Sequence, residues 1–282
     1  MIRQKHFSIV LLIVLNLIAC KQTDKQVVSE KKAVITEIDL TAPTVLLAAI
    51  EKAHGGWNHL RSKKDVAYHY EYTMPVGDAD ISTERYIFDD EISFGYYTRH
   101  EINTLPTENG IVTHLFDGEK TKVTLNGDSI EKERTVAIAE FVRRANYFWF
   151  VMPYKLNDPG TIAKYLGTEE HNKITYFKLE VTYDAEVTGK EENDIYILYI
   201  NPDTYLIDRF YFSLPFLRIN APVILAEYTY KLVEGQKLAT NRIYFLPDAK
   251  GAYGEIPSIT QTLSQIKFDN GFTKENILSV NK

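Results

Sequence analysis

The stretch Phe177-Lys178-Leu179-Glu180-Val181-Thr182-Tyr183 decides the fold class of this chain. Its apolar and polar side chains alternate, and a period of two residues is typical of a strand with one face buried and the other in water. Residues 68–74 alternate in the same way, with three tyrosines and Met74 on one face. Sheets with one solvated face are commonly antiparallel. The two stretches therefore predict a mainly β protein with an antiparallel sheet.

Two segments have the period of a helix instead. Apolar side chains recur every three or four positions in residues 45–53 and again in residues 133–152. Gly55-Gly56 favours the left-handed conformation that ends a helix, and Pro153 breaks the second one. Strands outnumber helices and follow one another through short turns such as Asp117-Gly118. The order of elements predicts a curved antiparallel sheet of about ten strands with helices on its concave side.

The N-terminal residues have the pattern of an export signal. Arg3 and Lys5 precede an apolar run that ends at Leu17-Ile18-Ala19-Cys20, and the run is too short for a comfortable membrane span. These last four residues resemble the lipobox of bacterial lipoproteins, in which the cysteine is diacylated and the chain is cut just before it. We therefore expect lipidation of Cys20. The alternative is an ordinary signal peptide with a chance cysteine near its end.

Three parts of the chain follow from this pattern. Residues 1–19 are expected to be the lipoprotein signal peptide, and residues 20–41, polar and rich in lysine, a flexible tether. Residues 42–282 show no repeat and no long linker, which predicts a single β-rich domain.

The composition restricts the kinds of partner and binding site that the chain can have. The 282 residues include 38 acidic and 32 basic ones, a net charge of −6, which argues against nucleic acid as a partner. A single cysteine provides neither an internal disulfide nor a thiolate metal cluster. The chain is rich in aromatic residues, with 19 Tyr and 14 Phe. Tyrosine favours strands and half-wet surfaces, which is typical of β structure with an amphipathic cavity.

Catalytic signatures are absent from the sequence. We find no Gly-x-Ser-x-Gly, no phosphate-binding loop, no dinucleotide fingerprint and no His-Glu-x-x-His. His69 with Glu71, and His100 beside Glu101, are better explained as surface or hydrogen-bonded strand residues than as metal ligands. Carboxylate clusters at 89–91 and 191–194 lack the ligand spacing of a calcium loop. The sequence predicts a protein that is not an enzyme and has no cofactor and no metal.

Aromatic side chains are the candidates for ligand binding. A cavity with apolar walls and a few phenolic hydroxyls suits an acyl chain or another amphiphile. The alternative is that these side chains simply form the core between sheet and helix. The candidates are Tyr68, Tyr70, Tyr72, Phe94, Phe148, Trp149, Phe150, Tyr228 and Tyr230.

One loop, residues 213–222, is apolar. We expect it to be a lid over the cavity, a tip that touches a membrane, or a buried crossover. Its apolar members are Leu214, Phe216, Leu217 and Ile219.

Several short segments resemble a family of uncharacterised lipoproteins of the Bacteroidota. They are His54-Gly55-Gly56-Trp57, Met152-Pro153-Tyr154-Lys155-Leu156 with Asp158-Pro159-Gly160, Leu198-Tyr199-Ile200-Asn201-Pro202 with Thr204, and Phe272-Thr273-Lys274-Glu275-Asn276. The order of elements is similar to that of the LolA and LolB carriers of bacterial lipoproteins. That similarity implies an incomplete barrel, lidded by helices, that holds acyl chains; it does not by itself fix a function.

These observations lead to one expectation and two alternatives. We expect a membrane-anchored lipoprotein whose domain binds or carries a hydrophobic or lipid ligand without catalysis. A ligand-free scaffold of the cell envelope is the first alternative, and an envelope hydrolase is the second. Residues 21–25 lack the acidic run that resembles a surface-export signal, so we expect the periplasmic face of the outer membrane, with the N-terminal lipid as the membrane contact.

Overall fold

The structure, a computed structural model, describes residue 39 and residues 41–279. The expected signal peptide, the lipidated Cys20 and nearly all of the expected tether lie outside the described residues. No helix in the described part of the chain is both long enough and apolar enough to cross a bilayer.

Helices and strands have the following bounds. The helices are α1 (Pro43–His54), α2 (Trp57–Ser62), α3 (Glu133–Lys155) and α4 (Ala185–Thr188), with a 3-10 turn at Pro215–Leu217. The strands are β1 (Asp65–Thr73), β2 (Ala79–Ile87), β3 (Ile92–His100), β4 (Val112–Phe116), β5 (Thr121–Leu125), β6 (Asp128–Ser129), β7 (Thr161–His171), β8 (Ile174–Tyr183), β9 (Tyr196–Ile200), β10 (Ile207–Leu214), β11 (Ile219–Val233), β12 (Gln236–Phe245) and β13 (Ile259–Phe268).

All thirteen strands described belong to one antiparallel sheet. Its order is β6-β5-β4-β3-β2-β1-β13-β12-β11-β10-β9-β8-β7, so β6 and β7 are free edges and the sheet is open. Every pairing joins neighbours along the chain except that of β1 with β13, in which His69 lies opposite Ser264. The predicted mainly β fold with an open antiparallel sheet is confirmed.

The sheet curves around the helices. Helix α1 contacts both β7 and β12, although four strands separate these two in the sheet. One helix can contact both only if the sheet wraps around it, and α3 contacts α1 as well as β3, β4 and β5. Both helices therefore lie on the concave side, as the sequence predicted.

The sequence underestimated the strand count because of β6 and β7. Strand β6 has only two residues, and β7 is an edge strand whose residues are half-buried or exposed throughout. Ile162 and Leu166 of β7 are themselves exposed, so the strand carries no clear alternation of apolar and polar residues.

Pro153 does not end α3, which continues to Lys155. The prediction of a break at Pro153 was wrong, and side-chain packing beyond the proline explains why. Tyr154 is buried and donates a hydrogen bond to the backbone carbonyl of His54 at 2.9 Å, and Leu156 is fully buried. These contacts offset the backbone hydrogen bond that a proline cannot make.

An ion pair joins α3 to the sheet inside the core. Arg143 Nη1 lies 2.5 Å from Glu84 Oε2, and both side chains are 0% exposed. The second nitrogen of Arg143 donates to Glu84 Oε1 at 3.0 Å and also to the hydroxyl of Tyr97. Gly95 of β3 leaves room for this guanidinium, because an added Cβ would lie 2.6 Å from Arg143 Nη1.

Candidate ligand-binding site

A cleft of about 950 Å³ lies beside α3. The size is at the upper end of the range of about 300–1,000 Å³ found for ligand pockets. Its walls come from α3, from the ends of β9 and β10, from the segment around α4 and from the 3-10 turn. The residues that line it are Glu91, Phe116, Ala137, Glu140, Phe141, Arg144, Ala145, Tyr147, Phe148, Trp149, Lys155, Asp158, Pro159, Tyr183, Thr188, Lys190, Glu192, Asn193, Asp194, Tyr196, Phe212, Leu214, Pro215 and Phe216.

Helix α3 has two apolar faces, one fully buried in the core and the other only half-buried. Val142, Phe150 and Val151 are buried. Phe141, Ala145 and the Phe148-Trp149 pair are spaced at helical intervals on the other face, are only half-buried and line the cleft. The region of α3 that the sequence showed to be apolar on all sides therefore divides between the core and the cleft.

The opposite wall is aromatic too. The ring of Phe148 stacks on Tyr196 with centroids 5.7 Å apart, and Trp149 meets Phe212 edge-on at 5.0 Å. Both are geometries that aromatic pairs prefer. Phe148 and Trp149 therefore pack against the core side chains of β9 and β10 while they line the cleft.

Phe216 of the 3-10 turn reaches across to the helix. Its ring lies parallel to that of Phe141, with centroids 4.0 Å apart and an interplanar angle of 2°. The Phe216 side chain is 51% exposed, so one face of the ring covers the cleft and the other meets water. This single aromatic contact joins the apolar loop to α3.

One side of the cleft carries an unusual carboxyl group. Burial raises the pKa of Asp194, against the opposing effects of the Lys190 charge and of a hydrogen bond with Tyr196. Burial also raises the pKa of the Tyr196 hydroxyl, and the negative charge of Asp194 raises it further. The pair lies on the polar side of the cleft, which Lys190, Glu192 and Asn193 also line.

Lys155, a second charged group of the rim, is paired with two carboxylates. Lys155 Nζ lies 3.0 Å from Asp158 Oδ2 and also contacts Glu91. Burial lowers the pKa of Lys155, but the hydrogen bonds to Glu91 and Asp158 outweigh that effect and raise it. The two carboxylates that converge here are bound to one ammonium group, so the site resembles a structural ion pair more than an acid–base pair.

Arg144 completes the rim. Its Nε lies 3.0 Å from Glu140 Oε1 on the preceding turn of α3, and its guanidinium lies 4.5 Å from the centre of the Phe116 ring. An apolar floor with charged groups at the edge is an arrangement that suits an amphiphile.

The structure distributes the predicted aromatic residues between cleft and core. Phe148 and Trp149 line the cleft. Tyr68, Tyr70, Phe94 and Phe150 are at most 3% exposed and belong to packed core clusters, and half-buried Tyr72 packs against one of these clusters. These five side chains are part of the core between sheet and helix, which was the alternative to a role in ligand binding. Tyr228 and Tyr230 border a separate void of about 10 Å³, which is the size of one water molecule.

The apolar loop divides in a similar way. Leu214 and Phe216 line the cleft. Leu217 is 57% exposed outside it, and Ile219 begins β11.

Sequence reasoning did not select Phe141, Tyr183, Asp194, Tyr196 or Phe212 as site residues, although all five line the cleft. Phe141 had a visible signal, since it belongs to the apolar stripe of the predicted helix. The sequence around Tyr196 and Phe212 indicates only strands. The alternation of apolar and polar residues is the same whether the apolar face of a strand meets a cavity or a core.

The candidate metal and acid–base pairs have ordinary structural partners. His69 Nε2 lies 3.2 Å from Glu71 Oε1, and the ring nitrogens of His100 contact the carbonyls of Leu105 and Gly110. Among the described residues, no group of three or more His, Cys, Asp or Glu side chains could hold a metal ion.

The acidic turn before β3 is bound to cations of the protein itself. Asp89 pairs with Arg61 at 2.8 Å, and Asp90 pairs with Lys274 at 3.3 Å. The third acidic residue, Glu91, contacts Lys155 at the rim of the cleft. This turn therefore acts as a set of ion pairs in the folded chain.

Comparison with known proteins gives a family and several distant structures. Residues 59–217, more than half of the chain, match the family DUF6503, described as a family of unknown function. No curated protein matches the chain.

Solved structures similar to the chain include a LolA superfamily protein from Nitrosomonas europaea, with 14% identity over 79% of this chain and 97% of that one and a TM-score of 0.45. A DUF1329 family protein from Desulfovibrio piger has 11% identity, covers 83% of this chain and 94% of that one, and has a TM-score of 0.44. The lipoprotein LppX from Mycobacterium tuberculosis has 14% identity, covers 81% of this chain and 97% of its own, and has a TM-score of 0.30. All three similarities are distant.

Proposed function

Since this chain belongs to DUF6503, a family of unknown function, we propose its function from the cleft: the domain binds or carries a hydrophobic or lipid ligand without catalysis. The observation that carries the proposal is the aromatic face of α3 with Phe141, Phe148 and Trp149, which is only half-buried and lines a cleft of about 950 Å³.

The energetics favour an apolar occupant. Burial of apolar surface contributes about 25 cal/mol per Å², and Phe141, Phe148 and Trp149 all retain surface that a ligand can cover. An acyl chain along this stripe would displace water from aromatic rings without requiring a hydrogen bond from the helix. A polar head group would then lie near the charged rim, where Asp194 and Lys190 are available.

The proposed setting follows from the N-terminal sequence. Lipid on Cys20 would anchor the protein in the cell envelope, at the outer membrane and facing the periplasm, with residues 20–41 as tether and residues 42–282 as the binding domain. The resemblance to lipoproteins of the Bacteroidota supports this setting. The partners are then the membrane and one lipid or acyl ligand.

A scaffold that binds no ligand is the second candidate. The packed core around Tyr68, Tyr70 and Phe150 favours it, because this half of the sheet interior is filled by side chains. The exposed Phe216 and Leu217 would then be contact residues for a protein partner.

Tryptophan fluorescence distinguishes the two candidates, since the chain has only two tryptophans. In a Trp57→Phe variant, Trp149 in the cleft is the sole reporter, and dibromostearate should quench it by contact. In the matched Trp149→Phe variant, Trp57 stacks on Tyr154 outside the lining of the cleft and should not be quenched. Equal quenching of both, or of neither, would contradict the proposal.

A blocking substitution provides a second test. Ala145 lies on the floor of the cleft, so Ala145→Trp should abolish dibromostearate uptake by filling the space. Ala185 is exposed on α4 and does not line the cleft, so Ala185→Trp should leave uptake unchanged. Native mass spectrometry with lipid extraction would then identify the natural ligand, and a clean apo mass with no uptake of added lipids would support the scaffold.

A further inference from the structure

We propose that the folded domain contacts the surface of a lipid bilayer directly, through three neighbouring turns at one end of the sheet. We call this set the tip end. It consists of residues 74–78 between β1 and β2, residues 215–218 between β10 and β11, and residues 246–258 between β12 and β13.

Strand register places these turns side by side. Thr260 at the start of β13 lies opposite both Thr73 of β1 and Ile243 of β12. The loop before β13 also folds along β11, because the hydroxyl of Tyr253 donates a hydrogen bond to the carbonyl of Val223 at 2.7 Å. The three turns therefore extend from the same edge of six consecutive strands, from β10 to β2 in the sheet order.

The tip end concentrates the exposed apolar side chains of the molecule. Of the twelve large hydrophobic residues that are exposed among those described, seven lie on these three turns. Val76 is 79% exposed, Ile256 73% and Leu217 57%. The seven residues are Met74, Val76, Phe216, Leu217, Leu246, Tyr253 and Ile256.

The opposite end of the same strands is charged. Lys63 pairs with Glu234 in the turn between β11 and β12 at 2.7 Å, and Asp89 in the turn between β2 and β3 pairs with Arg61. Among the described residues, the exposed large hydrophobic side chains at this end are Leu232 of β11 and Leu278 in the turn after β13. The two ends of one sheet thus differ in the kind of surface they present.

Rigid turns hold the apolar side chains outward. Each of the three segments contains proline: Pro75, Pro215, and Pro247 with Pro257. Proline fixes the backbone dihedral φ and lowers the entropy that a turn loses when it is ordered. Insertion of these side chains would therefore cost little additional backbone ordering.

The form of the surface fits a bilayer better than a protein partner. The apolar side chains lie on separate turns with polar residues between them, so they do not form the continuous apolar core of a protein interface. A bilayer interface can take each side chain singly, and tyrosine is favoured at that depth. The charged residues of the turns, Asp78, Arg218, Asp248, Lys250 and Glu255, nearly balance, which suits a zwitterionic surface.

The length of chain outside the structure also favours the membrane. A flexible tether over residues 20–41 would have a root-mean-square span of about 25 Å. Strand β11, with 15 residues, is about 50 Å long. A lipid anchor on Cys20 would hold the domain within its own length of the bilayer, so one surface of the domain would meet the membrane.

The tip end adjoins the cleft, because Phe216 belongs to both. Contact with the bilayer would place this edge of the cleft at the lipid surface. The inference itself does not require a ligand in the cleft, so bilayer contact and dibromostearate uptake can fail independently.

Site-specific labels test the proposal on the full chain bound to phosphatidylcholine–phosphatidylethanolamine vesicles. Cys20 is the only native cysteine, so with lipid on its thiol the introduced cysteine is the one free thiol, and intact mass verifies that each protein carries both the lipid and one label. A bimane label on Val76→Cys, Leu217→Cys or Ile256→Cys should be quenched by nitroxide lipids at least threefold more than a label on the control, Leu232→Cys at the opposite end. Equal quenching at all four labelled sites would overturn the proposal, and so would quenching at only one of the three tip-end sites.

A combined variant adds a second measurement. With the label on Leu246→Cys, the changes Val76→Ser, Leu217→Ser and Ile256→Ser should together reduce quenching at least threefold, while Leu232→Ser should not. These side chains are exposed, so the variants should fold. Loss of label accessibility without nitroxide quenching would indicate a protein partner and would overturn the proposal.

Discussion

Replacement of Arg143 by methionine should destabilise the domain strongly. The change removes the guanidinium that pairs with Glu84 inside the core, where both side chains are 0% exposed. Glu84 would keep hydrogen bonds from the hydroxyls of Ser82 at 2.7 Å and Tyr86 at 3.2 Å. Two neutral donors do not compensate a buried negative charge, so the folded state loses most of the partner's contribution.

The magnitude follows from the geometry of the pair. Removal of one partner of a buried, two-point ion pair costs about 3–5 kcal/mol. For a domain of this size, 1 kcal/mol corresponds to about 2–4 °C in the melting temperature, so Arg143→Met should lower Tm by roughly 6–20 °C. The neighbouring Arg144 is the matched control, because its pair with Glu140 at 3.0 Å lies at the surface. Arg144→Met should cost less than about 1 kcal/mol.

The assay is urea unfolding followed by tryptophan fluorescence, with the single variants and the double variant Glu84→Gln/Arg143→Met. The double variant removes both charges of this buried pair, so it should recover at least about 2 kcal/mol relative to Arg143→Met alone. If the losses of the two single variants simply add, the pair is not coupled and the reasoning is refuted. A cost as small for Arg143→Met as for Arg144→Met would refute it as well.

Three further predictions concern packing, pH and the cleft. Gly95→Ala would place a Cβ 2.6 Å from Arg143 Nη1 and 2.8 Å from the Tyr97 ring, so it should lower the free energy of unfolding by about 1–3 kcal/mol; urea unfolding should show a smaller loss in an Arg143→Met background, where the contact with Tyr97 remains. Burial lowers the pKa of His54 to about 4, so only the unfolded chain gains this proton as the pH falls from about 6.5 to 4. His54 should therefore contribute a decrease in stability of about 3 kcal/mol over that range. Burial also lowers the pKa of His114, so unfolding curves of His54→Gln should lack the His54 contribution and keep the rest. Phe216→Ala removes the ring stacked on Phe141 at 4.0 Å and should speed the release of dibromostearate several-fold in stopped-flow fluorescence; an unchanged rate would show that the loop does not retain the ligand.

Local pattern was enough to place most of the elements. The alternation over residues 177–183 falls within β8, which runs from Ile174 to Tyr183, and the helical period over residues 45–53 falls within α1. The signals are local because one face of each element is buried and the other is not. Strand β7 shows the limit of this reasoning, since an edge strand with little burial has no pattern to detect.

Long-range contacts decided the features that local pattern left open. The pairing of His69 with Ser264 joins segments from opposite parts of the chain, and no periodicity within either strand specifies it. A proline at position 153 predicts the end of the helix, yet α3 continues to Lys155 because Tyr154 is buried and bonded to the carbonyl of His54. In both cases the energy that decides the structure comes from residues far away in the sequence.

The candidate site illustrates both contributions. The sequence determined that α3 has more apolar surface near Phe148 and Trp149 than one core-facing stripe requires, because this follows from the spacing of its residues. Only the tertiary structure decided which apolar side meets the core and which meets a cleft. The pair of Arg143 with Glu84 anchors one face of the helix to the sheet, and that anchor leaves the other face toward β9 and β10. A helix is apolar or polar by its own residues, but the surface it faces depends on the partners that hold it in place.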